Sequence, residues 1–122
     1  MSTKEIGDYG ERLARRYLRR HFYRILETNY KTKHGEIDII AKKGRYIVFC
    51  EVKTRRAEHT HTFGRPAYAV NYQKREHMRT AIKLYLARNN TALIPRIDII
   101  EVYLDEKGHR TEHIKDAFGG RE

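Results

Sequence analysis

The chain has 122 residues and carries 26 lysines and arginines against 16 aspartates and glutamates, a net charge of +10. That length holds one hydrophobic core and excludes two, and an apolar content of 39% gathered into runs excludes a disordered chain. The charge favours an anionic partner, nucleic acid ahead of an anionic membrane surface, and no run reaches the length of a transmembrane helix.

The N-terminal residues 1–8 are polar and acidic where a signal peptide would be apolar, so a cytoplasmic location is expected. Residues 2–22 read as a helix opened by a capping box, Ser2 with Glu5. Ile6, Gly10, Leu13, Ala14, Tyr17 and Leu18 form its apolar stripe, and Arg12, Arg15, Arg16, Arg19 and Arg20 cover the other side. Glu11 sits at the edge of the stripe, with open space one turn earlier at Gly7. A short strand follows at Tyr23–Leu26, then a loop at Lys31–Gly35.

Two apolar runs, Glu36–Ala41 and Tyr46–Lys53, are separated only by residues 42–45 and read as a hairpin. Alternation places Glu36, Asp38 and Ile40 on one face of the first strand, and Ile47, Phe49, Glu51 and Lys53 on one face of the second. Residues 46–52 are apolar on both faces, the mark of a central strand. Cys50, the single cysteine, lies in its middle and reads as a buried, inert thiol; no disulfide framework exists.

Residues 54–66 read as a loop holding His59 and His61, too few convergent ligands for zinc. Ala67–Asn90 reads as the second helix, with Met78, Ala81, Ile82, Tyr85 and Leu86 on its apolar side. Arg96–Leu104 is a further strand, in which Asp98 is expected to pair with Arg96 or another basic residue. Residues 106–108 turn, 111–114 pair back, and 116–122 form a frayed tail. The whole is one α/β domain over residues 1–122 with a mixed sheet. A right-handed crossover through the second helix makes strand 96–104 parallel to strand 46–53.

Three charges within the most apolar stretch call for a physical reason. Asp38, Glu51 and Lys53 form either a salt-bridged polar patch or a metal site. Paired carboxylates repel unless a cation or a proton intervenes. Mg²⁺ (or Mn²⁺) uses one or two carboxylates plus water and phosphate oxygens. Asp38, Glu51 and the carbonyl of Val52 supply such ligands, and Glu11 completes the set from the first helix. Lys53 would orient the attacking water or stabilise the charge that builds on phosphorus. The reaction class is metal-dependent phosphodiester hydrolysis. Lys33, Arg55, Arg56 and Lys74 are candidate phosphate contacts; Tyr30, Phe63, Tyr68 and Tyr72 could stack on unpaired bases.

Gly7, Gly10-Glu11, Ala14 and Tyr17-Leu18, then Asn29, residues 35–41, and Phe49 with residues 51–55 together resemble the YraN-like family of small bacterial proteins. Lys74, Ala81, Tyr85-Leu86 and residues 96–98 extend the match over nearly the whole chain. The family is placed in the restriction-endonuclease-like superfamily with its PD-(D/E)xK motif, near archaeal Holliday-junction resolvases. The resemblance implies a restriction-endonuclease-like core, a mixed central sheet flanked by helices, with Glu11, Asp38, Glu51 and Lys53 as the nuclease quartet. Ile37 stands where the motif's proline would be. The function expected is an endonuclease acting on branched or structured DNA; symmetric junction cleavage would need a homodimer. The alternatives are a nuclease fold that binds nucleic acid without cutting, and a membrane-surface or protein-binding role for the basic first helix.

Overall fold

The computed structural model describes residues 1–56 and 72–118. Helix α1 (Thr3–Arg20) begins with the expected box: Ser2 Oγ accepts from the Glu5 N–H at 3.1 Å and Glu5 Oε1 accepts from the Ser2 N–H at 2.8 Å. Strands β1 (Arg24–Thr32), β2 (Gly35–Lys43) and β3 (Tyr46–Arg56) follow, then helix α2 (Tyr72–Arg88) and strands β4 (Ile94–Asp105) and β5 (Gly108–Ile114). Among the described residues this is a mixed α/β protein with a five-stranded sheet in the order β1-β2-β3-β4-β5. Every neighbouring pair is antiparallel except β3 and β4, which run parallel as the crossover rule requires.

Among the described residues, each face of the sheet is covered by one helix. Leu13, Ala14 and Leu18 of α1 pack on Ile39, Ala41, Val48, Cys50, Ile100 and Val102. Met78, Ala81, Ile82 and Tyr85 of α2 pack on Ile37, Ile40, Ile47, Phe49 and Ile99. Cover on both sides is why β3 is apolar on both faces. Two glycines allow the helices to come this close. A Cβ at Gly10 would lie 1.8 Å from Thr54 Oγ1, and one at Gly35 would lie 2.9 Å from the His77 carbonyl oxygen.

Three expectations change. The first strand is longer than Tyr23–Leu26: it reaches Thr32 and takes in residues expected as loop. Its side chains are mostly exposed and its register shifts between Ile25 and Glu27, so no clean period marks it, yet its backbone is paired with β2 from Arg24 to Thr32. The turn is only Lys33-His34, held by Thr32 Oγ1, which accepts from the N–H groups of His34 and Gly35 at 3.1 Å each. Second, alternation does not hold along β2. Ile37 and Ile40 both face α2, whereas Ile39 and Ala41 face α1, so the alternation breaks between Ile37 and Ile39. Third, the described part of the C-terminal tail docks: the Ala117 N–H bonds to the Ile97 carbonyl at 2.8 Å, and Phe118 is buried. His59, His61, Phe63, Tyr68, the start of the second helix at 67–71, the side chain of Tyr72 and residues 119–122 lie outside the described residues.

Candidate functional site

The break in β2 falls at Asp38. On one side, β1 and β2 pair through Thr28↔Ile39 and Tyr30↔Ile37, which sets Asn29 opposite Asp38; Asn29 has φ of 51°, a left-handed conformation that asparagine tolerates better than most residues. On the other side, β2 and β3 pair only from Ile39↔Cys50 to Lys43↔Tyr46. Beyond that point the Asp38 side chain takes the place of a strand partner: its Oδ2 accepts the Val52 N–H at 2.7 Å. The N–H and C=O of one strand residue point to the same side, so the Val52 carbonyl is directed at the same notch between the strands.

Glu51 lies on the α2 side of β3, buried like Asp38. Its Oε2 meets Lys74 Nζ from α2 at 2.5 Å and Lys53 Nζ from its own strand at 3.7 Å. Burial, and next the charge of Glu51, push the Asp38 carboxyl up to about 7 against the pull of the Val52 N–H; Glu11 pushes it further and Lys74 restrains it. Glu11, half-buried on α1, is also raised, by burial first, with Arg15 opposing and Asp8, Glu36 and Glu51 adding. Burial would lower the Lys74 ammonium, but the bond to Glu51 and the surrounding carboxylates raise it.

The structure thus brings Asp38, Val52, Glu51, Lys53 and Lys74 to one notch, with Glu11 acting on it electrostatically from α1. Among the described residues, no three His, Cys, Asp or Glu side chains are gathered tightly enough to hold a metal ion by themselves. The donor set still fits a hard divalent cation, since Mg²⁺ takes one or two carboxylates and completes its shell with water and substrate phosphate. A cleft lined by Gly35, Glu36, Gln73, Lys74, His77 and Met78 shares Lys74 with the notch.

Other candidates distribute differently. Arg55 lies on the Glu51–Lys53 face and donates its Nε to Glu101 at 2.9 Å, whereas Arg56 ends the strand on the opposite face. Lys33 is exposed in the β1–β2 turn. Tyr30 is taken up by the core, its ring edge-on to Tyr85 at 5.2 Å, and is not presented to a base. Cys50 is fully buried, and burial pushes its thiol well up, as an inert role requires. Asp98 pairs with Arg96 as expected, at 2.9 and 2.8 Å, and also meets His113 Nε2 at 2.6 Å and the Asp116 N–H at 3.0 Å. Sequence reasoning missed Asn29 as the partner of the β2 break. The available signal was a turn-forming residue inside an otherwise extended stretch.

Fold and site together define a small mixed α/β protein whose paired carboxylates and two lysines occupy the point where two central strands part. The chain belongs to the uncharacterised protein family UPF0102, which matches residues 10–102 and therefore spans Glu11, Asp38, Glu51, Lys53 and Lys74. It is 43% identical over 117 residues to a UPF0102 protein of Alkaliphilus metalliredigens (strain QYMF), covering 95% of this chain and 99% of that one. It is 46% identical over 119 residues to one of Alkaliphilus oremlandii (strain OhILAs), covering 95% and 99%. It is 45% identical over 119 residues to one of Clostridioides difficile (strain 630), covering 97% and 100%. Among the described residues, no helix is long and apolar enough to cross a membrane.

Proposed function

We propose that this protein is a divalent-metal-dependent endonuclease of the restriction-endonuclease-like class, acting on branched or structured DNA. The observation that carries the reading is the pair of buried carboxylates, Asp38 and Glu51, set where β2 leaves β3 and flanked by two lysines. A Mg²⁺ or Mn²⁺ ion held by Asp38, Glu51 and the Val52 carbonyl, with Glu11 behind them, would supply charge neutralisation at the phosphate and a more acidic water. The chain's own groups do the rest. Asp38, kept near Val52 by the N–H bond, and Glu51 fix the carboxylate geometry. Lys53 offers its ammonium to a non-bridging phosphate oxygen as negative charge builds there. A water oxygen then bonds to phosphorus as the P–O ester bond breaks; the water gives up a proton to solvent and the leaving oxygen takes one up from solvent.

The test is an assay of purified protein with Mg²⁺ or Mn²⁺ on duplex, single-stranded, flap and four-way DNA. Glu51→Ala and Lys53→Ala are expected to lower cleavage by at least about 100-fold, the range typical for loss of an electrostatic catalytic group. Cleavage that survives both substitutions belongs to a contaminant and sinks the reading.

The Lys74–Glu51 contact favours a second reading, in which the fold binds nucleic acid without cutting, because an ammonium already offsets Glu51. Calorimetry separates the two: binding of Mn²⁺ that Asp38→Asn abolishes supports the nuclease, and absence of any Mn²⁺ heat supports the binding module.

A further inference from the structure

Strand register lays three rows of side chains across the sheet face that α2 covers. Glu51, Ile99 and Ile114 form the first, Lys53, Glu101 and Glu112 the second, and Arg55, Tyr103 and Arg110 the third. Ile99 and Ile114 of the first row pack in the α2 core. The third row stands four residues farther along β3, roughly 13 Å from the first; Arg110 is exposed, at 56% of its side chain, and Arg55 and Tyr103 are partly exposed.

The third row is held in place by a buried carboxylate, Glu101. Glu101 is 2% exposed and accepts from Arg55 Nε at 2.9 Å and from the Tyr103 hydroxyl. Burying a carboxylate seldom stabilises a sheet more than an apolar residue of similar volume would. What Glu101 achieves is orientation, fixing one guanidinium and one phenol side by side. Arg110 lies over the Tyr103 ring, its guanidinium carbon 4.2 Å from the centroid, with Glu112 as a loose partner at 3.5 Å.

We propose that Arg55, Tyr103 and Arg110 form a platform for an unpaired base in the strand that enters the Asp38–Glu51 notch, with Glu101 as the positioning residue. The inference rests on the nuclease reading for what lies at the notch. An aromatic ring with one guanidinium over it and a second held by the same carboxylate as its hydroxyl is the chemistry that single-stranded nucleic acid uses: the base stacks against the ring and the phosphates meet the guanidiniums. A fully paired duplex has no base to give to the ring, and an acidic peptide has no use for it.

The test is binding without metal, in EDTA, so that cleavage plays no part. The probe is a short duplex with a single-stranded tail carrying a fluorescent adenine analogue, compared with the same duplex blunt-ended and with polyglutamate. Wild type is expected to quench the analogue and to prefer the tailed duplex by about tenfold, the lower range of one base stacked on an aromatic side chain, and Tyr103→Phe, which keeps the ring but loses the hydroxyl that Glu101 holds, is expected to fall between wild type and Tyr103→Ala. Tyr103→Ala is expected to lose the quenching and bring that preference close to one. Arg110→Gln, at an exposed position, is expected to reduce it also, and decides the matter if Tyr103→Ala does not fold. Unchanged quenching and preference in either variant overturns the platform, as does displacement by polyglutamate equal to that by the oligonucleotide. Wild type that quenches but never cleaves with Mg²⁺ or Mn²⁺ would sink the nuclease reading and leave the platform standing. Cleavage without quenching would do the reverse.

Discussion

Asp38 keeps its proton to about pH 7 because it is buried beside Glu51, and that has a consequence for stability. A carboxyl whose folded value lies above its ordinary 3.8 contributes stability that is full below about 3.8 and is lost as pH rises toward 7. The interval from 3.8 to about 7 corresponds to about 4 kcal/mol. Asp98 has the opposite sign. Its burial alone would raise it, but the bonds from His113, Arg96 and Asp116 overcome that and lower it, so its contribution is present above 3.8 and is lost as pH falls through its folded value. Asp38→Asn keeps an oxygen for the Val52 N–H and removes the ionisable group. We expect the variant to be more stable than wild type by about 2–4 kcal/mol at pH 8 in the absence of divalent metal, with a smaller gain at pH 5. Urea unfolding at the two pH values checks this; equal stability at pH 8 would show that the pair carries no such strain.

At the scale of elements, the paired departures of β1 and β2 set the direction of Asp38. Asn29 with φ of 51° and the reversal of alternation between Ile37 and Ile39 occur at the same level of the ladder. Asn29→Gly should therefore fold as well as wild type, whereas Asn29→Val forces a β-branched side chain into the left-handed region and should cost about 1–2 kcal/mol. Thermal melts of the two variants test this, and a Val variant as stable as Gly would mean that the strand relaxes to regular geometry. The same feature shows where sequence reading stops. Strand β3 was legible because apolar residues on both faces permit only a central place, and its parallel partner followed from the crossover through α2. The charges of Asp38, Glu51 and Lys53 stood out against that apolar run. A period of two, however, presumes an unbroken strand, so it put Asp38 with Ile40 and gave no sign of the left-handed residue at Asn29 within β1. Only the start of strand β1 was legible, at Tyr23–Leu26; the rest was hidden because its residues are mostly polar and its reason for being extended is backbone pairing with β2. The contact of Lys74 with Glu51 joins residues far apart in the chain, and no local pattern reports it.

At the scale of the whole molecule, every pair of neighbouring strands is also adjacent in sequence, and one ladder alone, β3 with β4, must wait for a long return of the chain. Closing that return means bringing the two ends of residues 57–93 together, an entropic cost that the β1–β2 and β2–β3 turns do not bear. Within the unit from Arg24 to Arg56 the strand pairings are all between sequence neighbours, so it can condense before the rest. It contains Asp38, Val52, Glu51 and Lys53, so the strands that hold the catalytic candidates would meet early, while Lys74 and the tail joined to Asp98 would arrive late. Chevron kinetics make the order visible: Ile40→Val and Phe49→Leu should slow refolding, and Ile114→Val in β5 should chiefly hasten unfolding. The reverse assignment would mean that the parallel ladder nucleates the fold. In the early-meander order, the growing chain assembles its repelling carboxylates before Lys74 is in place, so the transition state for folding carries more of the charge conflict than the finished protein, where Lys74 eases it in part.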